Sequence, residues 1–249
     1  MVQNFVNKLV ESGLSAVTVQ SAFSFLKAGL KSVNSGIFDV KLPKKPKSTV
    51  EYFSLEEQKR LEAAAKASCD MDYLATTISL YTGVRIGELC GLLWADIDFE
   101  CRILRVRRTM QRIRSDGESK TELVFLSPKT ETSTRDIPLP DFLLDVLKEQ
   151  RTTSTSVYVI SVKGNPVEPR TVQRRFKRLL VAAEVKDVNF HTTRHTFATR
   201  ALENGFDVKS LSEILGHGSA TITLNKYAHA LDAHKRSCMN GLATVFSGR

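Results

Sequence analysis

The apolar residues of this 249-residue chain change their spacing twice. Up to about Leu92 they recur every three to four residues, as helices require. From Arg102 to Pro138 they alternate with polar residues, as strands require, and from Asp141 onward the helical spacing returns. Such a chain is expected to fold as a mainly α protein with a small antiparallel sheet set into it. In the alternating stretch Ile103, Leu104 and Val106 mark one strand, Leu123, Val124 and Phe125 a second, and Arg135–Leu139 a third, with Asp116–Gly117 as the turn between the first two. We therefore expect a three-stranded antiparallel sheet.

Residues 1–36 read as two short helices. Phe5, Leu9 and Val10 face one way before Gly13 ends the first, and Ser15 caps a second that carries Val19, Phe23, Leu26 and Leu30. Two such helices bury little by themselves, so they are expected to be part of a small helical domain. Residues 39–51, with two prolines among four lysines, read as an extended, exposed linker. The expected division is 1–46 for the partial helical domain and linker, and 47–249 for the main domain. In the main domain Ser54 and Glu57 form a capping box for a helix to about Ala67. Helices follow at Tyr73–Tyr81, stopped by Gly83, and around Ile86–Leu92. Beyond the strands come helices at Asp141–Glu149, Pro169–Glu184, Thr192–Glu203 and Val208–Leu215, a short segment at Thr221–Lys226, and a tail helix from about Ala228 to Phe246. A short strand is expected at Val157–Val162.

Thirty-six Lys and Arg against 27 acids give a net charge of +9. Nucleic acid is the first partner this suggests, an anionic membrane surface the second. No apolar run reaches the ~18–20 residues of a membrane span, and the first twenty residues lack the apolar core of a signal peptide. A cytoplasmic protein with no membrane partner is expected. The four cysteines form no CxxC pair and no zinc-ligand cluster, and the sequence shows neither an acidic cluster such as two-metal nucleases use nor a Walker-type glycine loop, so neither metal nor other cofactor is expected.

Four clusters carry chemistry. Thr82-Gly83-Val84-Arg85-Ile86-Gly87-Glu88 brackets an arginine with glycines at a helix junction, where a guanidinium can fork onto two phosphate oxygens. Ser127-Pro128-Lys129-Thr130 sets a lysine in a turn between strands, able to reach a phosphate or give up a proton. His191-Thr192-Thr193-Arg194-His195 opens a helix with His191 and Arg194 on one face. Leu215-Gly216-His217-Gly218 is followed ten residues later by Tyr227. Taken singly, each has a plainer account: a surface arginine paired with Glu88, a solvated turn lysine, a chance H-x-x-R, a half-buried aromatic.

Taken in order as Arg, Lys, His-x-x-Arg, His, Tyr, the set resembles the tyrosine recombinases, which include phage and conjugative-transposon integrases and chromosome-dimer resolvases. The runs TGVRIGEL, HTTRHTFAT, ILGH and ITLNKYAH carry the resemblance over about residues 50–230, and GLS-x-x-TV and LPK point toward integrases of conjugative transposons and Gram-positive phages. Residues 1–46 resemble the end of the helical core-binding domain of that family. That domain ordinarily has about four helices and here shows two, so the chain is expected to be a truncated form or a degraded element.

The resemblance implies that Tyr227 attacks the scissile phosphate and forms a 3′-phosphotyrosyl link. It assigns Arg85 and Arg194 to the non-bridging oxygens, Lys129 to protonation of the leaving 5′-oxygen, His191 to proton movement at the tyrosine, and His217 to a hydrogen bond with the phosphate. Glu88 would orient the pocket. The implied function is site-specific recombination of duplex DNA at an attachment or crossover site by a homotetramer, with accessory DNA-bending or directionality proteins. Lys41, Lys44, Lys45, Lys47, Arg105, Arg107, Arg108, Arg174 and Arg175 are the expected phosphate contacts. Two other readings remain open on the residues: a type IB topoisomerase-like activity, and a DNA-binding relic of the fold without catalysis. The short His217–Tyr227 spacing argues against the first and the complete set of six residues against the second.

Overall fold

A computed structural model describes residues 2–33, 40–45, 50–115, 121–127, 134–228 and 239. The chain forms two compact units, residues 1–49 and 50–249.

The first unit holds α1 (Val2–Glu11) and α2 (Ala16–Val33). The Ser15 hydroxyl accepts from the Thr18 N–H at 3.2 Å, as the sequence suggests for an N-cap. Val6, Val19 and Phe23 form the core, and Val40 and Leu42 pack on it. Here the expectation of an exposed linker needs correction. The Gln3 side chain donates to the Lys41 carbonyl and accepts from the Lys41 N–H, and Gln20 donates to the Pro43 carbonyl at 2.7 Å. Residues 40–43 therefore form a strap whose alternate residues, Val40 and Leu42, turn inward. The prolines and lysines hid that two-residue alternation. Lys41, Lys44 and Lys45 stay exposed, and Lys47 lies outside the described residues.

In the second unit the expected capping box is present: Glu57 N–H donates to Ser54 Oγ and Ser54 N–H to the Glu57 carboxylate, opening α3 (Leu55–Ser68). Next comes α4 (Asp70–Thr82), with ten of its thirteen residues buried. Its small hydroxyl residues Thr76, Thr77 and Ser79 allow neighbours to approach on every side. It sits among α3, α6 (Asp141–Thr153), α7 (Pro169–Ala182) and α8 (His191–Glu203). A short α5 (Ile86–Cys90) follows α4.

The strands are β1 (Ile97–Asp98), β2 (Ile103–Val106), β3 (Thr109–Arg114), β4 (Thr121–Leu126) and β5 (Arg135–Pro138). The three-stranded sheet exists, but its order is β1-β2-β5, with Ile103 opposite Pro138 and Val106 opposite Arg135. The strand expected at Leu123–Phe125, β4, instead pairs with β3 in a separate hairpin, Thr109 opposite Leu126 and Arg114 opposite Thr121. Sequence reading missed β3 because its outward positions carry arginines, so it passed for a basic stretch. The expected strand at 157–162 shrinks to β6 (Ser161–Val162), paired with β7 (Asn165–Pro166). Last come α9 (Val208–Leu215) and a helix, here α10, over residues 220–228. The Asp116–Gly117 turn and the expected tail helix beyond residue 228 lie outside the described residues, save for residue 239.

Candidate functional site

The site is organised around the end of α9. Asp207 caps its start by accepting from the Ser210 N–H, and Gly216 ends it at φ +62°, a backbone conformation open to glycine. The last carbonyls of a helix lack partners within the helix and carry the negative end of its dipole. Three successive carbonyls here go to three arginines from distant parts of the chain. Arg135 Nε donates to the Ile214 carbonyl, Arg194 Nη2 to the Leu215 carbonyl at 2.6 Å, and Arg85 Nη2 to the Gly216 carbonyl at 3.0 Å.

Arg194, in the first turn of α8, is only 2% exposed, and its Nη1 donates to the Gly83 carbonyl. Burial, then the nearby Arg85, pulls its pKa down to about 9, which still leaves it charged at neutral pH. Arg85 precedes α5. It donates to Glu88 through both its side chain and its backbone N–H, each at 2.8 Å. Glu88 is 7% exposed. Burial alone would raise its pKa, but Arg135, which forks onto both carboxylate oxygens at 3.0 and 2.8 Å, and Arg85 hold it down at about 2.

His191 and His195 stand one turn apart on α8, edge to face, with ring centres 4.5 Å apart. Nδ1 of His195 lies 2.8 Å from the hydroxyl of Tyr227, on α10. Tyr227 is fully buried, and burial pushes its pKa up to about 12. Nδ1 of His217 lies 2.7 Å from Oγ1 of Thr223, one turn before Tyr227. Burial and the surrounding cations, Lys226, Arg194 and Arg85 among them, drive the histidines down, His191 to about 4 and His195 and His217 to about 3. His191 lies at the solvent-exposed rim, so water screens part of its shift. Lys226 is itself shifted downward by burial and by the two arginines. A pocket with this many cations and neutral, donor-capable imidazoles is suited to a phosphodiester.

The structure thus gathers Arg85, Glu88, His191, Arg194, His217 and Tyr227; Lys129 lies outside the described residues. Sequence reading gave no role to Arg135, His195, Thr223 or Lys226. His195 had a legible signal, being four residues after His191 on the same helical face. Arg135 stands in the run that follows Lys129, but nothing local points to its partners, 47 and 79 residues away.

Two of the expected phosphate contacts are engaged within the protein. Arg175 Nε and Nη2 donate to the buried Asp72 carboxylate at 2.6 and 2.9 Å, and Nη2 also to Cys69 Sγ, so Arg175 belongs to the packing of α7 on α4. Arg108 is held by the buried Asp96 carboxylate. Arg105 and Arg107 pair with Asp98 and Asp136 at 2.7 and 3.1 Å, in pairs open to solvent. Arg174 borders an open hollow with Arg170 and Lys177. No helix of the described residues is long and apolar enough to cross a membrane.

Residues 51–234 match the phage integrase family. A XerC-like tyrosine recombinase of Caldanaerobacter subterraneus is 31% identical over 98% of this chain and 70% of its own length. The tyrosine recombinase XerA of Pyrococcus furiosus is 32% identical over 88% of this chain and 72% of its own. Among solved structures, the Tn1549 transposon integrase in complex with circular intermediate DNA superposes with a TM-score of 0.80 at 25% identity, covering 97% of this chain and 84% of that one. The chain belongs to the phage integrase family and is a tyrosine recombinase, an enzyme of site-specific DNA recombination.

Proposed function

We propose that Tyr227 is the nucleophile of strand cleavage on duplex DNA and that Arg85, Arg194, His191, His217 and Lys129 serve the scissile phosphate. The observation that carries this reading is the meeting of Arg85, Arg194 and the His217 turn at one helix end, beside the α8 histidines and Tyr227. The tyrosine oxygen bonds to phosphorus as the bond from phosphorus to the 5′-oxygen breaks. The leaving oxygen takes a proton from Lys129, and the phenolic proton passes toward the α8 histidines. Arg85 and Arg194 stabilise the charge that grows on the non-bridging oxygens. His217 adds a hydrogen bond; a hydroxyl proton from Thr223 on Nδ1 would leave Nε2–H as the donor. The phosphotyrosyl bond conserves the phosphodiester's energy, so religation by a 5′-hydroxyl requires no nucleotide. Tyr227 is buried and bonded to His195. This is a resting arrangement, and α10 shifts before attack.

Residues 1–46 act as part of a core-binding domain that embraces the duplex, and the recombining species is a homotetramer on two crossover sites, aided by accessory proteins. The Tn1549 integrase bound to circular intermediate DNA supports the choice of a mobile-element substrate. The test is covalent trapping. A nicked duplex carrying a crossover sequence selected from a random pool is mixed with wild type and with Tyr227→Phe, then run on a denaturing gel. A slow-migrating adduct from wild type alone supports the reading; binding with no adduct, or an adduct from the phenylalanine variant, overturns it.

A further inference from the structure

Arg135 is more buried than Arg85, at 5% side-chain exposure against 39%, and it lies where three elements meet. From the first residue of β5 its Nη1 and Nη2 hold both oxygens of Glu88 on α5, while its Nε holds the Ile214 carbonyl at the end of α9. Its side chain packs closely against Gly216. A Cβ at that glycine would sit 3.0 Å from Arg135 Nη1 and 3.1 Å from its Cδ. The turn that carries His217 is therefore shaped around this side chain as well as around Arg85.

The local charge balance gives Arg135 a second consequence. Glu88 faces two guanidiniums, Arg85 and Arg135. With Arg135 occupying both its oxygens, Glu88 is compensated and need not neutralise Arg85. Arg85 then keeps one face on Glu88 and the Gly216 carbonyl while remaining the half-exposed cation of the set. Were Arg135 absent, the buried carboxylate would claim Arg85 outright and draw it away from any anion in the pocket. The α5–α9 spacing would also lose its bridge, because Arg85 alone would then join Glu88 to the end of α9.

We propose that Arg135 is a positioning residue for strand cleavage: by tying Glu88 to the end of α9, it fixes where the Arg85 guanidinium stands and leaves its charge available to the scissile phosphate. The assignment rests on the function proposed above. It concerns a residue that touches neither the phosphate nor the nucleophile and acts through Arg85.

The test uses the whole chain, with Arg135→Gln, Arg135→Lys and the double variant Glu88→Gln/Arg135→Gln. Each is checked for folding by circular dichroism, for affinity on the crossover duplex, and for single-turnover adduct formation with protein in excess. Arg135→Gln leaves a buried carboxylate short of a cation and is open to misfolding; the double variant removes both charges and keeps the test valid. Expected is a fall of about 100-fold in the cleavage rate constant of folded Arg135→Gln, the scale of losing one preorganised electrostatic group. A smaller fall is expected in the double variant, where the neutral amide at position 88 no longer draws on Arg85 but the bridge to α9 is lost, with DNA affinity unchanged in both. Arg135→Lys recovers part of it, since an ammonium keeps the charge but not the three-way fork. Wild-type cleavage rates in folded double variant or in Arg135→Lys overturn the proposal. So does a loss confined to DNA affinity. Absence of an adduct from wild type overturns the functional reading and this assignment together, whereas a wild-type adduct beside an undiminished variant adduct overturns this one alone.

Discussion

His195 and Tyr227 are 32 residues apart in sequence, and the imidazole Nδ1 of one lies 2.8 Å from the phenol oxygen of the other. The phenol's pKa is pushed up to about 12 and the imidazole's down to about 3, so the proton stays on the tyrosine and the bond tethers the nucleophile. Transfer along this bond is steeply uphill in the resting arrangement. Replacing His195 by alanine removes the tether and costs about 1 kcal/mol, the usual net worth of one hydrogen bond. Tyr227 should then react faster with tetranitromethane in the DNA-free protein, as read by mass spectrometry of the nitrated peptide. Equal protection in the variant would mean that packing alone holds the ring.

The depressed histidines give stability a defined pH dependence. In the unfolded chain each imidazole binds its proton near pH 6.5, whereas His195 and His217 when folded do so only near 3. Between those values the unfolded state holds more protons, so stability rises with pH there. Their contribution is complete above about 6.5 and is lost as pH falls toward 3, by at most about 1.4 kcal/mol per pH unit for each histidine. Glu88 and Asp72, with lowered pKa values, push the same way at lower pH. Urea midpoints should drop from pH 7 to pH 5, and the drop should be smaller in His217→Asn. An equal drop in that variant would remove His217 from the account.

What could be read from the chain, and what could not, divides along sequence distance. The Ser54–Glu57 capping box spans three residues, and the helices named from periodicity within the described residues formed, their ends moving by a few residues. The Arg85 and His191–Arg194 clusters announced themselves because their chemistry is packed into short runs. The arginine partners were invisible. Arg135 meets Glu88 across 47 residues and Arg175 meets Asp72 across 103. Nothing local distinguishes those arginines from ones that face solvent. The β3–β4 pairing was missed for a related reason: beyond the buried Met110 the rest of β3 is exposed, so its alternation is masked by Arg112 and Arg114.

Gly87 offers a test of how tightly α5 sits on the hairpin. Within a helix, alanine is ordinarily better than glycine by about 1 kcal/mol. At Gly87 a Cβ would meet Thr109 Oγ1 at 2.4 Å and the Met110 carbonyl oxygen at 2.8 Å, and the second of these is backbone. The close approach should reverse the sign, with Gly87→Ala costing about 1–3 kcal/mol, as overpacking does. Because α5 carries Glu88 and begins beside Arg85, adduct formation should fall along with the urea midpoint. A variant more stable than wild type would show that β3 yields easily.

Arg174 and Arg175 are neighbours with opposite expected behaviour. Arg175 is bound to Asp72, whose carboxyl is buried on α4, so Arg175→Ala strands a charge and should cost about 3–5 kcal/mol of stability. Arg174 borders the open basic hollow with Arg170 and Lys177, where a phosphate can reach it. Arg174→Ala should leave the urea midpoint near wild type and make the salt dependence of DNA binding shallower. The log–log slope should change by about 0.9 for each phosphate no longer neutralised. Arg175→Ala, measured below its melting temperature, should keep the wild-type slope. Were the two results exchanged, with the slope following Arg175 and the midpoint following Arg174, the face of α7 presented to DNA would have to be the one that carries Arg175.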